Sequence, residues 1–234
     1  RRGVLCALPS GDFLVPWVLQ AACPLPPEWK GRSSNMREEV SRIFQFKSPV
    51  HGIMPKLLTR AIHIPYITVP EEYMCATGFF CNTKKQAAFF KLLSPTRLEV
   101  TCRHRSGPAL GGSGDMNPLL LLSGRASTSI SPLSTTAADG VECTKQDSEQ
   151  FLFRVLVEIV EAVVECYYPG HKVDMKRLSP CKHCLTMSHT SDPYLFNLAD
   201  CTATIAGGQL VMYCQDIPSP SRMVLIADLA PDLL

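Results

Sequence analysis

The sequence has almost no excess of charge of either sign. Its 23 lysine and arginine residues nearly balance its 21 aspartate and glutamate residues, which leaves a formal net charge of +2 at pH 7. The basic residues do not cluster as a face for a phosphate backbone requires, so nucleic acid is not an expected partner. Aromatic residues are also few, at 8%, but apolar residues make up 46% of the chain, which is enough for a globular core.

A long uncharged apolar run is missing as well. The longest apolar region, residues 151–168, is interrupted by four charged residues: Arg154, Glu158, Glu161 and Glu165. Charges at that density exclude a membrane span, so we expect no transmembrane segment. The chain has no signal-type apolar segment, begins with Arg1 instead of methionine and stops without a closing turn. We therefore expect it to be a segment of a longer protein.

Motifs for nucleotide binding and nucleophilic catalysis are absent. No G-x-x-x-x-G-K-[ST] run occurs, and the glycine-rich residues 107–114 are not followed by a lysine. They lie inside residues 106–139, a stretch rich in Gly, Ser, Thr, Pro and Ala that we predict to be a flexible insertion. The possible nucleophiles Ser10, Cys75 and Cys181 have no histidine that a motif pairs with them. We predict no catalytic residue and no bound cofactor in this segment.

Cysteine, in contrast, is frequent. The chain has 11 cysteines, an odd number that cannot pair completely within one chain. Most of them lie among apolar or strand-forming residues, where a reduced thiol behaves as a small buried hydrophobe. This usage indicates a reducing, cytoplasmic compartment.

Cys181 and Cys184 form a C-x-x-C motif that has three interpretations. A structural zinc site needs four ligands, and its strong signature is two closely spaced pairs, whereas Cys201 and Cys214 are isolated. These four cysteines are weak metal candidates, and His183 and His189 are further possible ligands. A redox pair usually lies where a strand meets the start of a helix, whereas this motif is predicted to enter a loop. We favour the third interpretation, in which the two thiols pack a loop against the sheet.

Apolar runs and turn residues predict two units. Residues 1–35 are predicted to form a β-hairpin, at residues 4–8 and 13–19, and a proline-rich linker. Residues 36–234 are predicted to form an α+β domain, because short consecutive strands with short links indicate an antiparallel sheet. Its strands are predicted at residues 42–46, 64–69, 73–81, 87–93, 97–102, 172–175, 209–214 and 223–226. A first helix is predicted to open at Ser48 and Pro49, and a helical turn at residues 194–199.

The strongest helix prediction begins at a cap formed by Asp147 and Ser148 and runs to about Tyr168. Its charged residues recur every three or four positions and form one narrow stripe, while the other faces are apolar. The apolar surface exceeds what one sheet covers, so a second helix or a partner chain must contact it. The residues we predict to bind a partner are Phe153, Leu156, Val160, Val163 and Val164.

Four strings occur in this order: residues 44–58 (FQFKSPVHGIMPKLL), 153–170 (FRVLVEIVEAVVECYYPG), 180–185 (PCKHCL) and 226–233 (IADLAPDL). Together they resemble the COR region of Roco proteins, the region that follows the Ras-like Roc GTPase domain. The upstream hairpin then resembles the last hairpin of the winged-helix-like COR-A half, and the rest resembles COR-B. One departure is Cys214-Gln215-Asp216, which stands where some relatives have Cys-Pro-x-His.

The resemblance implies a module without catalytic residues. It implies a dimerisation and signal-relay segment that contacts the Roc GTPase domain of its own chain, a second protomer and, in kinase members, the kinase domain that follows. GTP and Mg²⁺ are then expected on the neighbouring GTPase domain. The alternative that the residues leave open is a zinc-stabilised interaction module built on Cys181 and Cys184.

Overall fold

The structure is a computed structural model that describes residues 6–7, 11, 13–15, 26, 29, 39–104, 151–186, 193–216, 223–230 and 233. The predicted insertion at residues 106–139 and the predicted cap at Asp147 and Ser148 lie outside the described residues. The described residues form an α+β fold, as predicted, in which several helices accompany a seven-stranded antiparallel sheet.

The strands are β1 (Cys6–Ala7), β2 (Phe13–Leu14), β3 (Glu39–Gln45), β4 (Met74–Cys75), β5 (Gly78–Asn82), β6 (Gln86–Ser94), β7 (Arg97–His104), β8 (Lys176–Pro180), β9 (Leu195–Asn197), β10 (Val211–Tyr213) and β11 (Met223–Leu225). The helices are α1 (Ile53–Ile62), α2 (Phe151–Tyr167), α3 (Pro169–Lys172), α4 (Lys182–Thr186), α5 (Leu198–Ala206) and α6 (Ile226–Leu229), with a short 3-10 helix at Glu71–Tyr73. The large sheet has the order β4-β5-β6-β7-β3-β8-β9, and two antiparallel pairs, β1-β2 and β10-β11, lie outside it.

Alternation along the strands divides the sheet into two faces, because successive side chains of a strand point to opposite sides. One face of β5, β6 and β7 contributes the buried residues Phe79, Cys81, Ala88, Phe90, Leu98, Val100 and Cys102 to the main core. The opposite face of β5 and β6 contributes Phe80 and Phe89 to a smaller cluster with Trp29. The main core therefore lies between the sheet and the helices that cover its first face.

Trp29 lies in the stretch that we predicted to be a linker, and its side chain packs against β5 and β6 of the sheet. Its ring contacts Phe80 edge-to-face with centroids 5.6 Å apart, and the guanidinium of Arg103 lies 4.2 Å from its centroid. A residue buried in this way is fixed to the domain that follows. The predicted hairpin upstream is present as the antiparallel pair β1-β2, with Cys6 opposite Leu14.

The first helix begins later than predicted. Its N-cap is Gly52, in a left-handed conformation with φ of 72°, and not Ser48. Pro55 is the third helical residue and is tolerated there because the first-turn amides have no partner within a helix. One face of α1 is apolar and buried, with Ile53, Leu57, Leu58 and Ala61 all packed inside.

The long helix α2 covers the sheet together with α1. Its buried side chains share the main core with Leu57, Leu58 and Ala61 of α1. We expected either a second helix or a partner chain to cover the apolar surface of α2. In the described residues α1 is the helix that covers it. The stripe of charges faces outward, and Glu161 of this stripe accepts a hydrogen bond of 2.9 Å from Arg177 of β8.

Beyond α2 the order of elements differs from the prediction. Pro169 opens α3, since proline fits the first helical position, and the strand predicted at residues 172–175 lies further along as β8. Cys181 then joins β8 to α4, where we had predicted a loop. The final elements form a second core with these buried residues: Cys181, Cys184, Phe196, Leu198, Cys201, Cys214, Val224, Ile226, Leu229 and Ala230.

Candidate functional site

Three of the four candidate cysteines converge in the second core. The sulfur atoms of Cys181, Cys184 and Cys214 all lie within 4.8 Å of one another, and all three residues are buried. The sulfurs of Cys184 and Cys214 are 3.4 Å apart. We call these three residues the thiol cluster.

Local structure places the two cysteines of the C-x-x-C motif on one side of a helical turn. The amide of Cys181 donates to the carbonyl of Tyr194, at 2.8 Å, which anchors the motif beside β9. The amide of Leu185 donates to the carbonyl of Cys181, at 3.1 Å, and closes the first turn of α4. Residues three apart on a helix face the same way, so the turn directs both thiols toward the strand end that carries Cys214.

The surroundings of the thiol cluster are apolar. Burial, together with the nearby thiols of Cys184 and Cys214, raises the pKa of Cys181 to about 12. Burial is also the main cause that raises the pKa of Cys214 above its usual value. Since the thiolate is the nucleophile, raised pKa values make Cys181 and Cys214 poorly suited to a redox or nucleophilic role. A bound metal ion would favour the deprotonated form of these thiols, because it coordinates the thiolate.

Cys201 is the fourth candidate, and it lies apart from the thiol cluster. It is fully buried in the second core, but its sulfur donates to the sulfur of Met212 at 3.2 Å. The fourth ligand of a tetrahedral site would therefore come from a group other than Cys201 in this arrangement. Sequence spacing did not single out Cys214, because β9, α5 and β10 fold back before its position is set.

The residues that we predicted to bind a partner belong to the chain's own core. Phe153 is 1% exposed, and Leu156, Val160, Val163 and Val164 are fully buried. The guanidinium of the buried Arg42 lies over the Phe153 ring, 5.5 Å from its centroid. These side chains are therefore closed to a partner, and the prediction requires correction: α1 and the sheet cover the surface that we had assigned to a second chain.

A different apolar surface is exposed on the β10-β11 hairpin. Val211 is paired with Leu225 and Tyr213 with Met223, so these four side chains share one face, which we call the hairpin face. Tyr213 is 62% exposed, and Met223 and Leu225 are about half exposed. The opposite face, with Met212 and Val224, packs into the second core. Both strands consist entirely of apolar residues, a pattern that predicts burial of both faces of the hairpin. Since one face is exposed, this pattern is the sequence signal from which the surface could have been found.

A second exposed surface surrounds the start of α2. The rings of Tyr66 and Phe151 are 5.2 Å apart, and both are about half exposed. They line an open groove of about 680 Å³ together with Lys84 and Lys85, which form the turn between β5 and β6. We call this the aromatic groove. It combines apolar area with two positive charges.

Among the residues that the structure describes, no helix is both long and apolar enough to cross a lipid bilayer.

Comparison with known proteins relates part of the chain to kinases of Dictyostelium discoideum. No protein-family model matches the chain. The probable serine/threonine-protein kinase qkgA is 30% identical over 89 residues, which are 38% of this chain and 6% of that protein. The probable serine/threonine-protein kinase roco11 is 33% identical over 82 residues, 35% of this chain and 5% of that protein. The probable inactive serine/threonine-protein kinase roco10 is 39% identical over 61 residues, 26% of this chain and 2% of that protein.

These partial similarities support a Roco-related protein. They do not single out the COR region, which stays a prediction. The chain spans a small fraction of the length of each of these relatives.

Proposed function

We propose that this chain is a non-catalytic dimerisation and signal-relay segment of a Roco-related protein, equivalent to the COR region. The observation that carries the proposal is the hairpin face, a contiguous apolar surface that the chain's own described elements leave exposed. Exposed apolar patches of this kind mark sites where another protein surface binds. The kinase relatives support the proposal at the level of the protein family.

The occupant of the hairpin face is a second copy of the same chain. In a symmetric dimer the same surface patch meets its own copy, so a patch of one charge sign would repel itself. The hairpin face has no charged side chain, since it consists of Val211, Tyr213, Met223 and Leu225. Tyrosine and methionine are also enriched at protein interfaces. A patch of four side chains supports a weak to moderate association and not an obligate dimer.

The aromatic groove suits a different occupant. Lys84 and Lys85 would repel themselves in a symmetric contact, so this surface fits an acidic segment or a neighbouring domain of the same parent chain. The two surfaces lie at different places in the strand order: the β5-β6 turn is near one end of the sheet, and the hairpin shares the second core with β9 at the other end. A segment with one contact at each end is suited to transmit a change between them.

In the proposed parent protein, the neighbouring domains supply the catalysis. A Roc GTPase domain of the same chain binds GTP and Mg²⁺, and a kinase domain follows in parents that have one. The segment described here contacts the GTPase domain, pairs with a second protomer and passes the nucleotide state to the kinase or to another effector in the cytoplasm. It contributes no catalytic residue of its own.

The relay is tested by hydrogen–deuterium exchange on the parent protein, with GDP and with a non-hydrolysable GTP analogue. We expect the exchange rates of β10, β11 and the residues around Tyr66 to differ between the two nucleotide states. The main core of α1 and α2 serves as the internal reference and should exchange equally in both. Identical exchange throughout, or a parent that binds no guanine nucleotide, contradicts the proposal.

A further inference from the structure

We propose that the thiol cluster is a structural metal site that binds one Zn²⁺ ion through Cys181, Cys184 and Cys214. This inference does not depend on the proposed relay function. It assigns a role to the C-x-x-C motif, which dimerisation and relay leave unexplained. Thiolate ligands in tetrahedral geometry are typical of structural zinc.

The spacing of the sulfurs fits a shared metal ion. A zinc–sulfur bond of about 2.3 Å in a tetrahedron separates neighbouring sulfurs by about 3.8 Å. The sulfurs of Cys184 and Cys214 are 3.4 Å apart, and every pair within the cluster lies within 4.8 Å. A disulfide requires about 2.05 Å, so the sulfurs of Cys184 and Cys214 are too far apart to be bonded, and their spacing is close to that of two ligands of one ion.

The three cysteines come from two parts of the chain that are separate in sequence, which also fits a structural metal site. Two ligands come from one short turn, and the third comes from the end of β10, which reaches the turn only after the chain has formed β9 and α5. A metal ion would therefore fix the β10-β11 hairpin to the end of β8. All three residues are at most 4% exposed, so the bound ion would be closed to solvent on the side of the sulfurs.

Binding of Zn²⁺ to the three cysteines releases protons. Each of the three thiols loses its proton to solvent as its sulfur bonds to Zn²⁺, so affinity increases with pH. Among the described histidine, cysteine, aspartate and glutamate residues, none other joins the group, so a fourth ligand would come from outside that set. Cys201, which is buried in the same core and contacts Met212, lies outside the site.

Metal content of the purified chain is the first test. The protein is reduced, loaded with Zn²⁺, passed over a desalting column and analysed by inductively coupled plasma mass spectrometry. We expect about one zinc per chain for the wild type and loss of that ion in Cys184→Ser and in Cys214→Ser. Cys201→Ser is the matched control, because it changes a thiol that is equally buried in the same core, and it should keep the ion.

The outcomes are distinguishable even if a ligand variant fails to fold. Wild-type protein loaded with Co²⁺ in place of Zn²⁺ should show the near-ultraviolet absorption of sulfur-to-cobalt charge transfer, which reports thiolate ligands without any substitution. A wild type that binds neither ion, or binds Co²⁺ without that absorption, overturns the proposal. Zinc retained by Cys184→Ser, or lost from Cys201→Ser, overturns the assigned ligand set.

Discussion

The side-chain oxygen of Gln86 accepts a hydrogen bond of 2.9 Å from the backbone amide of Leu152. Gln86 is the first residue of β6, it is buried, and Leu152 lies in the first turn of α2. Amides in the first turn of a helix have no partner within the helix, so Gln86, although it is a strand residue, caps the N-terminus of α2. The start of the long helix is thereby fixed to the sheet.

Replacing this long-range cap should weaken the domain. We expect Gln86→Ala to reduce the free energy of unfolding by about 1–3 kcal/mol, because a buried amide loses its acceptor. Urea unfolding followed by circular dichroism measures the change. Gln45→Ala, at the end of β3, is the matched control, since Gln45 accepts only a long contact of 3.4 Å from Arg97. Equal effects of the two substitutions would show that the contact with Leu152 contributes nothing.

The left-handed N-cap of α1 gives a second prediction. Gly52 has φ of 72°, a conformation that costs a residue with a Cβ about 1–2 kcal/mol. We expect Gly52→Ala to destabilise the protein by about that amount in thermal or urea unfolding. Gly170→Ala is the control: it lies in α3 with no atom within 4 Å of a new Cβ, and alanine favours a helix there. The explanation fails if Gly52→Ala leaves stability unchanged or if Gly170→Ala is the more harmful substitution.

A carboxyl group of the sheet predicts a dependence of stability on pH. Burial raises the pKa of Glu99 above its usual value, and Glu39 acts in the same direction, while Lys91 and Thr101 oppose them. The folded state therefore holds this proton more tightly than the unfolded state, so its contribution to stability falls as pH rises above the unfolded pKa of about 4.

Glu99→Gln should remove the loss of stability that the buried carboxylate causes as pH rises. We expect the variant to gain stability relative to wild type as the pH is raised from 4 to 7 (about the span in which a raised carboxyl pKa acts), measured by urea unfolding at several pH values. Glu158→Gln, which removes an exposed carboxylate of α2, controls for the change in net charge. Parallel pH profiles for wild type and Glu99→Gln would contradict the burial argument.

The fold was predictable where periodicity is strong and local. The long helix was predicted because its charged residues recur at helical spacing, and the strands from β5 to β7 because turn residues separate them. The position of β3 inside the sheet, between β7 and β8, was not predictable, since this pairing is set by contacts distant in sequence. Gly52 replaced Ser48 as the cap because a left-handed residue, and not a side-chain oxygen, begins α1.

The candidate sites were predictable only in part. The C-x-x-C motif identified Cys181 and Cys184, but the choice of Cys214 over Cys201 depends on how the β10-β11 hairpin folds back onto α4. The apolar faces of α2 indicated a large buried area, but composition cannot distinguish burial by α1 from burial by another chain. The exposed hairpin face lies on two short strands whose residues are all apolar, a pattern that does not show which face is exposed.

The association of the chain through its hairpin face is the central claim, and sedimentation equilibrium tests it most directly. We expect wild type to form dimers with a dissociation constant in the micromolar range. The double variant Tyr213→Glu with Leu225→Glu should be monomeric, because it places charges on both sides of the contact. Val173→Glu, which changes an apolar residue that is 90% exposed elsewhere, should dimerise as wild type does. A wild-type chain that stays monomeric, or a double variant that dimerises equally well, would contradict the account.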